Sequence, residues 1–331
     1  MTTRRHLLRA APFALAAAAL PRPALAGWPE RSLRLVVAFP PGGGVDRVAR
    51  LVQPRLAEFL GQAVVVENRG GGAGMIALNT VAAAPADGHT LLIDDLSFLV
   101  APLLAATGAA AYPVGFTPVG ALAEMPVLLA ASRDSGITSL GAYLEAARLA
   151  ERPLPYGTPG IGSIGHVAGA LLGRRTGLRF QHVPYRGSAD LVRDLAAGRL
   201  DSAYLTPAAF LPLAEAGRAA PLAMSSGSWQ GLPAGLPQLD RFGLQGTEEE
   251  GAGLANWVAA FVPDDTPRDV RLTLEAALDY ATQDPDLARI LAGFGARPVG
   301  GTLPGFRRRL AQELALLRRL VAEAGLAGAA G

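Results

Sequence analysis

Two glycine-rich segments carry residue types suited to holding an anion. Phe39-Pro40-Pro41-Gly42-Gly43-Gly44-Val45-Asp46 joins a β-rich run to an amphipathic helical pattern. Gly157-Thr158-Pro159-Gly160-Ile161-Gly162-Ser163-Ile164-Gly165-His166 stands at an equivalent junction further along. Glycine has no side chain, so backbone N–H groups can approach a ligand closely. A helix start adds unpaired N–H groups and partial positive charge, and the two together suit a bound anion. In the first corner, Phe39, Pro40, Gly42, Gly43 and Gly44 are candidate ligand contacts; in the second, Gly160, Gly162, the Ser163 hydroxyl and His166. Asp46 lies in a first helical turn, where an acid caps the helix or complements its dipole. Its functional role would be to accept a hydrogen bond from a ligand hydroxyl or a bridging water. His166 reads either as a packed histidine that caps the turn or as a ligand contact; no catalytic partner for it is in view.

The elements that position these corners alternate. Ser32–Phe39 is a β-rich run, and Val45, Val48, Ala49, Val52, Leu56 and Leu60 recur at helical steps. Pro54 inside that pattern predicts a kink or a break. Strands are expected at Ala63–Glu67 and Thr90–Ile93, with a helix over Met75–Ala84 between them. A second unit runs through strand Val127–Ala131, helix Leu140–Leu149, strand Leu154–Tyr156, helix His166–Gly173, strand Phe180–Pro184, helix Ala189–Ala197 and strand Asp201–Leu205. Pro221–Ser225 and Trp257–Val262 are further strands, and Arg268–Thr282 and Pro304–Ala324 further helices, the last with a stripe of Phe306, Leu310, Leu314, Leu317 and Val321. Such alternation predicts α/β units with a parallel sheet and helices on both faces. Residues 227–253 read as a long connection. Ligands of such sheets bind outside the carboxyl ends of the strands, so one anion-ready corner per unit points to a ligand held between two lobes.

The first 26 residues look like an export leader. Arg4-Arg5, the apolar Ala10–Leu20 and Ala24-Leu25-Ala26 supply a charged region, a short apolar region and a small-residue cleavage site. The T-R-R-x-L-L spacing matches the twin-arginine route, and the apolar region also fits general secretion. Removing the leader takes four arginines from 30 basic residues and none from 28 acidic ones, leaving 26 against 28, a net of −2. That balance gives no basic field for nucleic acid. The chain has no cysteine, and 305 residues after the leader can bury a core without disulfides.

Enzyme readings stay open at this point. Gly160 to Gly165 satisfies G-x-G-x-x-G, and Arg186 could serve a 2′-phosphate, so an NADP-dependent oxidoreductase is one alternative. A hydrolase using Ser163 is another, although Ile161 stands where G-x-S-x-G requires glycine. No H-E-x-x-H pattern suggests zinc, and no cofactor or metal is expected.

A series of motifs then adds a family likeness. F-P-P-G-G-x-x-D-x-x-A-R stands at Phe39–Arg50, L-G-Q-x-V-V-V-E-N-R at Leu60–Arg69 and G-x-A-G at Gly71–Gly74. P-x-D-G-x-T-L-L stands at Pro85–Leu92, F-T-P-V at Phe116–Val119 and G-x-G-S-x-x-H at Gly160–His166. H-V-P-Y-R-G follows at His182–Gly187, G-R-x-D at Gly198–Asp201, and Trp257 precedes V-P-D-D-T-P. In this order, over nearly the whole chain after the leader, they resemble the substrate-binding proteins of tripartite tricarboxylate transporters, the Bug receptors. The resemblance implies a non-enzymatic, monomeric periplasmic receptor of the type II binding-protein fold, each lobe a mixed, mostly parallel sheet flanked by helices. It places lobe 1 at 27–124 plus about 227–331 and lobe 2 at 125–226. It implies a small carboxylate or dicarboxylate ligand held by the two corners, often through water, with Asp201 as a water-holding or hinge-side residue or a simple turn acid. Partners would be two membrane transporter subunits or, for a ligand sensor, a membrane signalling protein such as a sensor kinase.

Some positions depart from the family pattern. Gly70 stands where proline is usual, His89 where tyrosine is, and Ala101-Pro102 where Asn-Pro is expected; residues 103–115 and 244–255 are altered. Asp94-Asp95 is unusual beside an anion site. Facing the cleft, the pair would repel a second carboxylate or favour an amino-bearing ligand. The rarity of unpaired buried acids favours solvent for them instead.

Overall fold

A computed structural model describes residues 27–104, 115–225, 227, 229, 231–242, 254–299 and 303–328. The expected leader, the altered stretches 105–114 and 244–253, and much of the 227–253 connection lie outside these residues. No described helix is long and apolar enough to cross a membrane.

Two sheets form two lobes. The first takes β1 (Leu33–Val37), β2 (Val64–Asn68), β3 (Thr90–Asp95), β4 (Phe116–Met125), β10 (Asn256–Pro263) and β11 (Arg297–Pro298), in the order β11-β4-β10-β3-β1-β2. The second takes β5 (Leu128–Ser132), β6 (Leu154–Thr158), β7 (Phe180–Pro184), β8 (Ser202–Leu205) and β9 (Ala219–Met224), in the order β7-β6-β8-β5-β9. Each sheet is mixed. β1 pairs parallel with β2 and β3, and β6 with β7 and β8. β10 runs antiparallel to β3 and β4, and β5 antiparallel to β8 and β9. The antiparallel halves arise where the chain crosses between lobes, from β4 into β5 and from β9 back to β10. The crossings are tied together: Ser225 N donates to Val127 O (2.8 Å) and Val127 N to Ser225 Oγ (2.9 Å).

Helix α1 (Gly44–Leu60) buries Val45, Val48, Ala49, Val52, Leu56 and Leu60, the face its periodicity predicts, and ends at Gly61 with φ +64°. It runs uninterrupted past Pro54. Proline in a helix interior costs about 3 kcal/mol, and six buried side chains outweigh one such loss at roughly 1.5–3 kcal/mol for each large aliphatic residue. The remaining helices are α2 (Met75–Ala82), α3 (Ser97–Leu104), α4 (Leu140–Leu149), α5 (Ile164–Thr176), α6 (Ser188–Ala196), α7 (Pro207–Glu215), α8 (Arg268–Thr282), α9 (Pro285–Ala292) and α10 (Leu303–Glu323). The last packs Phe306, Leu310, Leu317 and Val321 into the core, and with them Glu313, which is fully buried. Glu313 accepts from the buried Trp257 Nε1 (2.5 Å) and from Arg309 Nε (3.1 Å). Arg309 Nη1 in turn donates to Glu124 Oε2 (2.9 Å), and Arg297 Nε to Glu124 Oε1 (2.6 Å). This chain of charges fixes α10 against β4 and β10.

Candidate functional site

The carboxyl ends of β1, β3, β6, β7 and β8 open onto one cleft. Its walls include Phe39, Pro40, Gly43, Gly44, Asp95, Met125 and Asn256 from one lobe and Pro159, Gly187, Ser188, Ala189 and Thr206 from the other. The cleft, counted with the open solvent at its mouth, spans about 490 Å³. The two glycine-rich corners therefore meet one crevice, although not with all the residues expected there.

In the first corner Gly42 adopts φ +86°, a conformation that L side chains rarely take. Its N–H donates to Asp46 Oδ2 (2.8 Å) and so turns toward the protein. Asp46 also accepts from Arg50 Nε (3.0 Å) and Asn68 Nδ2 (2.8 Å), and Asn68 Nδ2 reaches Phe39 O (3.0 Å). Burial raises the Asp46 carboxyl, but hydrogen bonds from Arg50, Gly42 and Asn68 outweigh it, so the group sits below its ordinary value and stays ionised. The structure thus places Asp46 in a brace for the loop, with its oxygens spent on its own lobe. Gly43 and Gly44 face the cleft. A Cβ on Gly44 would lie 3.5 Å from both Met125 Sδ and Thr206 Oγ1, the latter on the opposite lobe.

In the second corner only Pro159 lines the cleft. Ser163 donates its hydroxyl to Gly160 O (2.8 Å) and accepts from His166 N (3.3 Å), capping α5. Gly162 N points to His166 Nδ1 (3.4 Å), and a Cβ on Gly162 would meet Ala101 of α3 at 3.4 Å. His166 is buried and stacks on His182, with ring centroids 3.9 Å apart. Burial lowers His166 to about 4; burial, then the His166 charge, lowers His182 to about 3. Gly160, Gly162, Ser163 and His166 thus build the corner and seat it on the other lobe. Asp201 is the larger displacement. It precedes β8 at its amino end, with its carbonyl accepting from Ser132 N (2.8 Å), whereas the cleft residue Thr206 follows the carboxyl end. Four strand residues at about 3.3 Å each separate them. A turn acid at the wrong end of its strand reads the same in sequence as one at the right end.

A third corner was not anticipated. Gly187 caps α6 with φ +102°, and a Cβ there would meet the Pro40 ring at 3.0 Å. Gly187 N donates to Pro159 O (2.8 Å), locking the second and third corners together. The signal was present as Tyr185-Arg186-Gly187-Ser188, another strand–glycine–helix junction.

Asp94 and Asp95 do not face solvent. Asp94 is 2% exposed and Asp95 lines the cleft. Both end a central strand, where the sheet itself covers them, and hydrogen bonds stand in for water. Asp94 Oδ1 accepts from Asp95 N (2.8 Å) and Ser97 Oγ (3.4 Å). Asp95 Oδ1 accepts from Ser97 N (2.9 Å), and its Oδ2 from Asn256 Nδ2 (3.1 Å). Burial, then the Asp95 charge, pushes Asp94 well above the usual carboxylate range, and burial raises Asp95 against its donors.

Residues 48–326 match the tripartite tricarboxylate transporter family receptor. The chain belongs to this receptor family. The family is periplasmic and solute-binding and works with membrane transporter subunits. The receptor is 33% identical over 299 residues, 90% of its length, to a protein of the tcbD–tcbE intergenic region of Pseudomonas sp. strain P51, of which the match covers 88%. Among solved structures it is similar to Rpa4515 of R. palustris with adipate, with TM-score 0.81 and 33% identity over 90% of this chain and 98% of that one. It is also similar to MatC of Rhodopseudomonas palustris with bound malate, with TM-score 0.75 and 27% identity over 91% and 100%.

The receptor's buried histidines and acids set two opposed pH limbs. A histidine with a lowered folded pKa contributes stability above its unfolded value that is lost as pH falls toward the folded one. For His166 that window runs from 6.5 down to about 4, worth on the order of 3 kcal/mol. A carboxyl with a raised folded pKa works the other way: its contribution is whole at acid pH and is lost as pH rises past its ordinary 3.8. Urea midpoints across pH should therefore show His166→Gln flattening the loss toward acid and Asp94→Asn flattening the loss toward neutral pH. Wild-type slopes in both variants would refute these assignments.

Proposed function

We propose that this receptor captures a small carboxylate in the cleft between its lobes and delivers it to a tripartite tricarboxylate-type transporter with two membrane subunits. The observation that carries the reading is the single cleft onto which glycine-rich corners of both lobes open. A carboxylate would lie against Phe39, Pro40 and the Gly42–Gly44 turn, opposite Pro159, Gly187 and Thr206. The Gly160–Ser163 turn and His166 hold that second wall in place, and Asp46 holds the first. Backbone donors and the starts of α1 and α6 supply the attraction. A ligand touching both walls favours the closed arrangement, because only differential contacts shift such an equilibrium. The related receptors with adipate and malate support this ligand class. The leader Met1–Ala26 would direct export and be removed, leaving the receptor free in the periplasm.

A thermal-shift screen of mono-, di- and tricarboxylates, amino acids and aromatic acids, confirmed by calorimetry, tests the proposal. At least one carboxylate should stabilise the protein, by about 2.7 kcal/mol at a hundred times its Kd. A flat response across the whole set would refute it.

A further inference from the structure

Among the described residues that line the cleft, Asp95 is the sole ionisable side chain. None of those described residues is an arginine or histidine, and the chain contains no lysine. The carboxyl receives hydrogen bonds from Ser97 N and Asn256 Nδ2 and is also approached by the Ser97 hydroxyl, all neutral donors. Each carboxylate oxygen can accept two, so acceptor capacity remains toward the cavity. Thr206 Oγ1 on the facing lobe is buried without a hydrogen-bond partner, a second polar group whose match must come from the cavity. Neutral backbone corners at the amino ends of two helices, α1 on Asp95's own wall and α6 on the facing lobe, favour negative charge. The lining is thus polarised, electropositive at the corners and acidic at the end of β3.

A dicarboxylate fits this polarity poorly. One of its ends would meet the corners and the other would meet a like charge in a cavity of reduced dielectric, where charge pairs interact more strongly than in water. An ammonium at that end would turn the repulsion into a charge-assisted hydrogen bond. We infer that the ligand is an amino-carboxylate, its carboxylate at the glycine corners and its ammonium on Asp95, which makes Asp95 the residue that selects against dicarboxylates. The inference rests on the carboxylate-receptor reading.

The test is calorimetry on the exported form of the protein, unfolded and refolded to strip carried-over ligand, with paired probes. γ-Aminobutyrate is set against succinate and ε-aminocaproate against adipate. Wild type should bind at least one amino-bearing or net-neutral member at least about tenfold more tightly than its diacid partner. Asp95→Asn should cut that preference by at least about tenfold, with Asp94→Asn as the control that leaves it in place. A wild type that binds diacids as tightly as or more tightly than their partners overturns the inference and leaves the receptor reading standing; so does an Asp95→Asn protein with an unchanged ratio. If Asp95→Asn does not fold, the wild-type ratios decide alone. Binding of no carboxylate of either kind overturns the receptor reading and this inference together.

Discussion

Arg309→Met is expected to cost the receptor about 3–5 kcal/mol of stability, the range for removing one partner of a buried ion pair. Glu313 is fully buried on the core face of α10, where Arg309 supplies charge and a hydrogen bond to it. Methionine fills similar space but withdraws the Arg309 cation from that carboxylate, and Glu124 loses the same partner. Pairing the change with Glu313→Gln removes the buried charge that Arg309 served, so the double variant should recover part of the loss. Urea unfolding of the four proteins gives the coupling directly. A single-variant loss under about 1 kcal/mol would show the network to be no stronger than an exposed pair. The network also bears on binding: Trp257, which it anchors, sits between the cleft residues Asn256 and Val258 on β10.

Gly44→Leu is expected to reduce ligand affinity at least about a hundredfold, near 2.8 kcal/mol, while the fold survives. Gly44 is the first residue of α1 and is not among the positive-φ glycines, so its backbone accepts a side chain. The first added carbon would already stand at contact distance, 3.5 Å, from Met125 Sδ and Thr206 Oγ1. Three further carbons then occupy the space between the lobes. Calorimetry with the best-bound carboxylate, beside a melting curve, separates the two effects. Retained affinity would remove the first corner from the site; a collapsed melting curve would mean that the residue serves folding instead.

Much of the scaffold was legible because helix and strand signals are local. Leu140–Leu149, Phe180–Pro184 and Arg268–Thr282 stand where periodicity and turn residues placed them. β4 is not evident from local signals, because Pro118 and Gly120 interrupt its strand pattern. In the sheet, register shifts in the partner strand β10 beside these residues absorb them, and Leu278 packs against Gly120. The stripe on α10 was visible, yet the burial of Glu313 on the same face was not, since it depends on a tryptophan distant in the chain as well as on Arg309 one turn away.

The sequence by itself determined the α/β units, the glycine junctions that begin α1 and α5, and the family, all written in short stretches whose backbone preferences need no distant partner. Only the tertiary structure decided which junctions open onto the cleft. It spent Asp46 and His166 inside the protein, brought Gly187 against Pro40, and turned Asp95 into the cavity. The reason is that the chain crosses twice between its sheets. Residues 39, 95, 159, 187 and 206 become neighbours through those crossings alone, and no periodicity along the chain records which way a strand end will face once they are made.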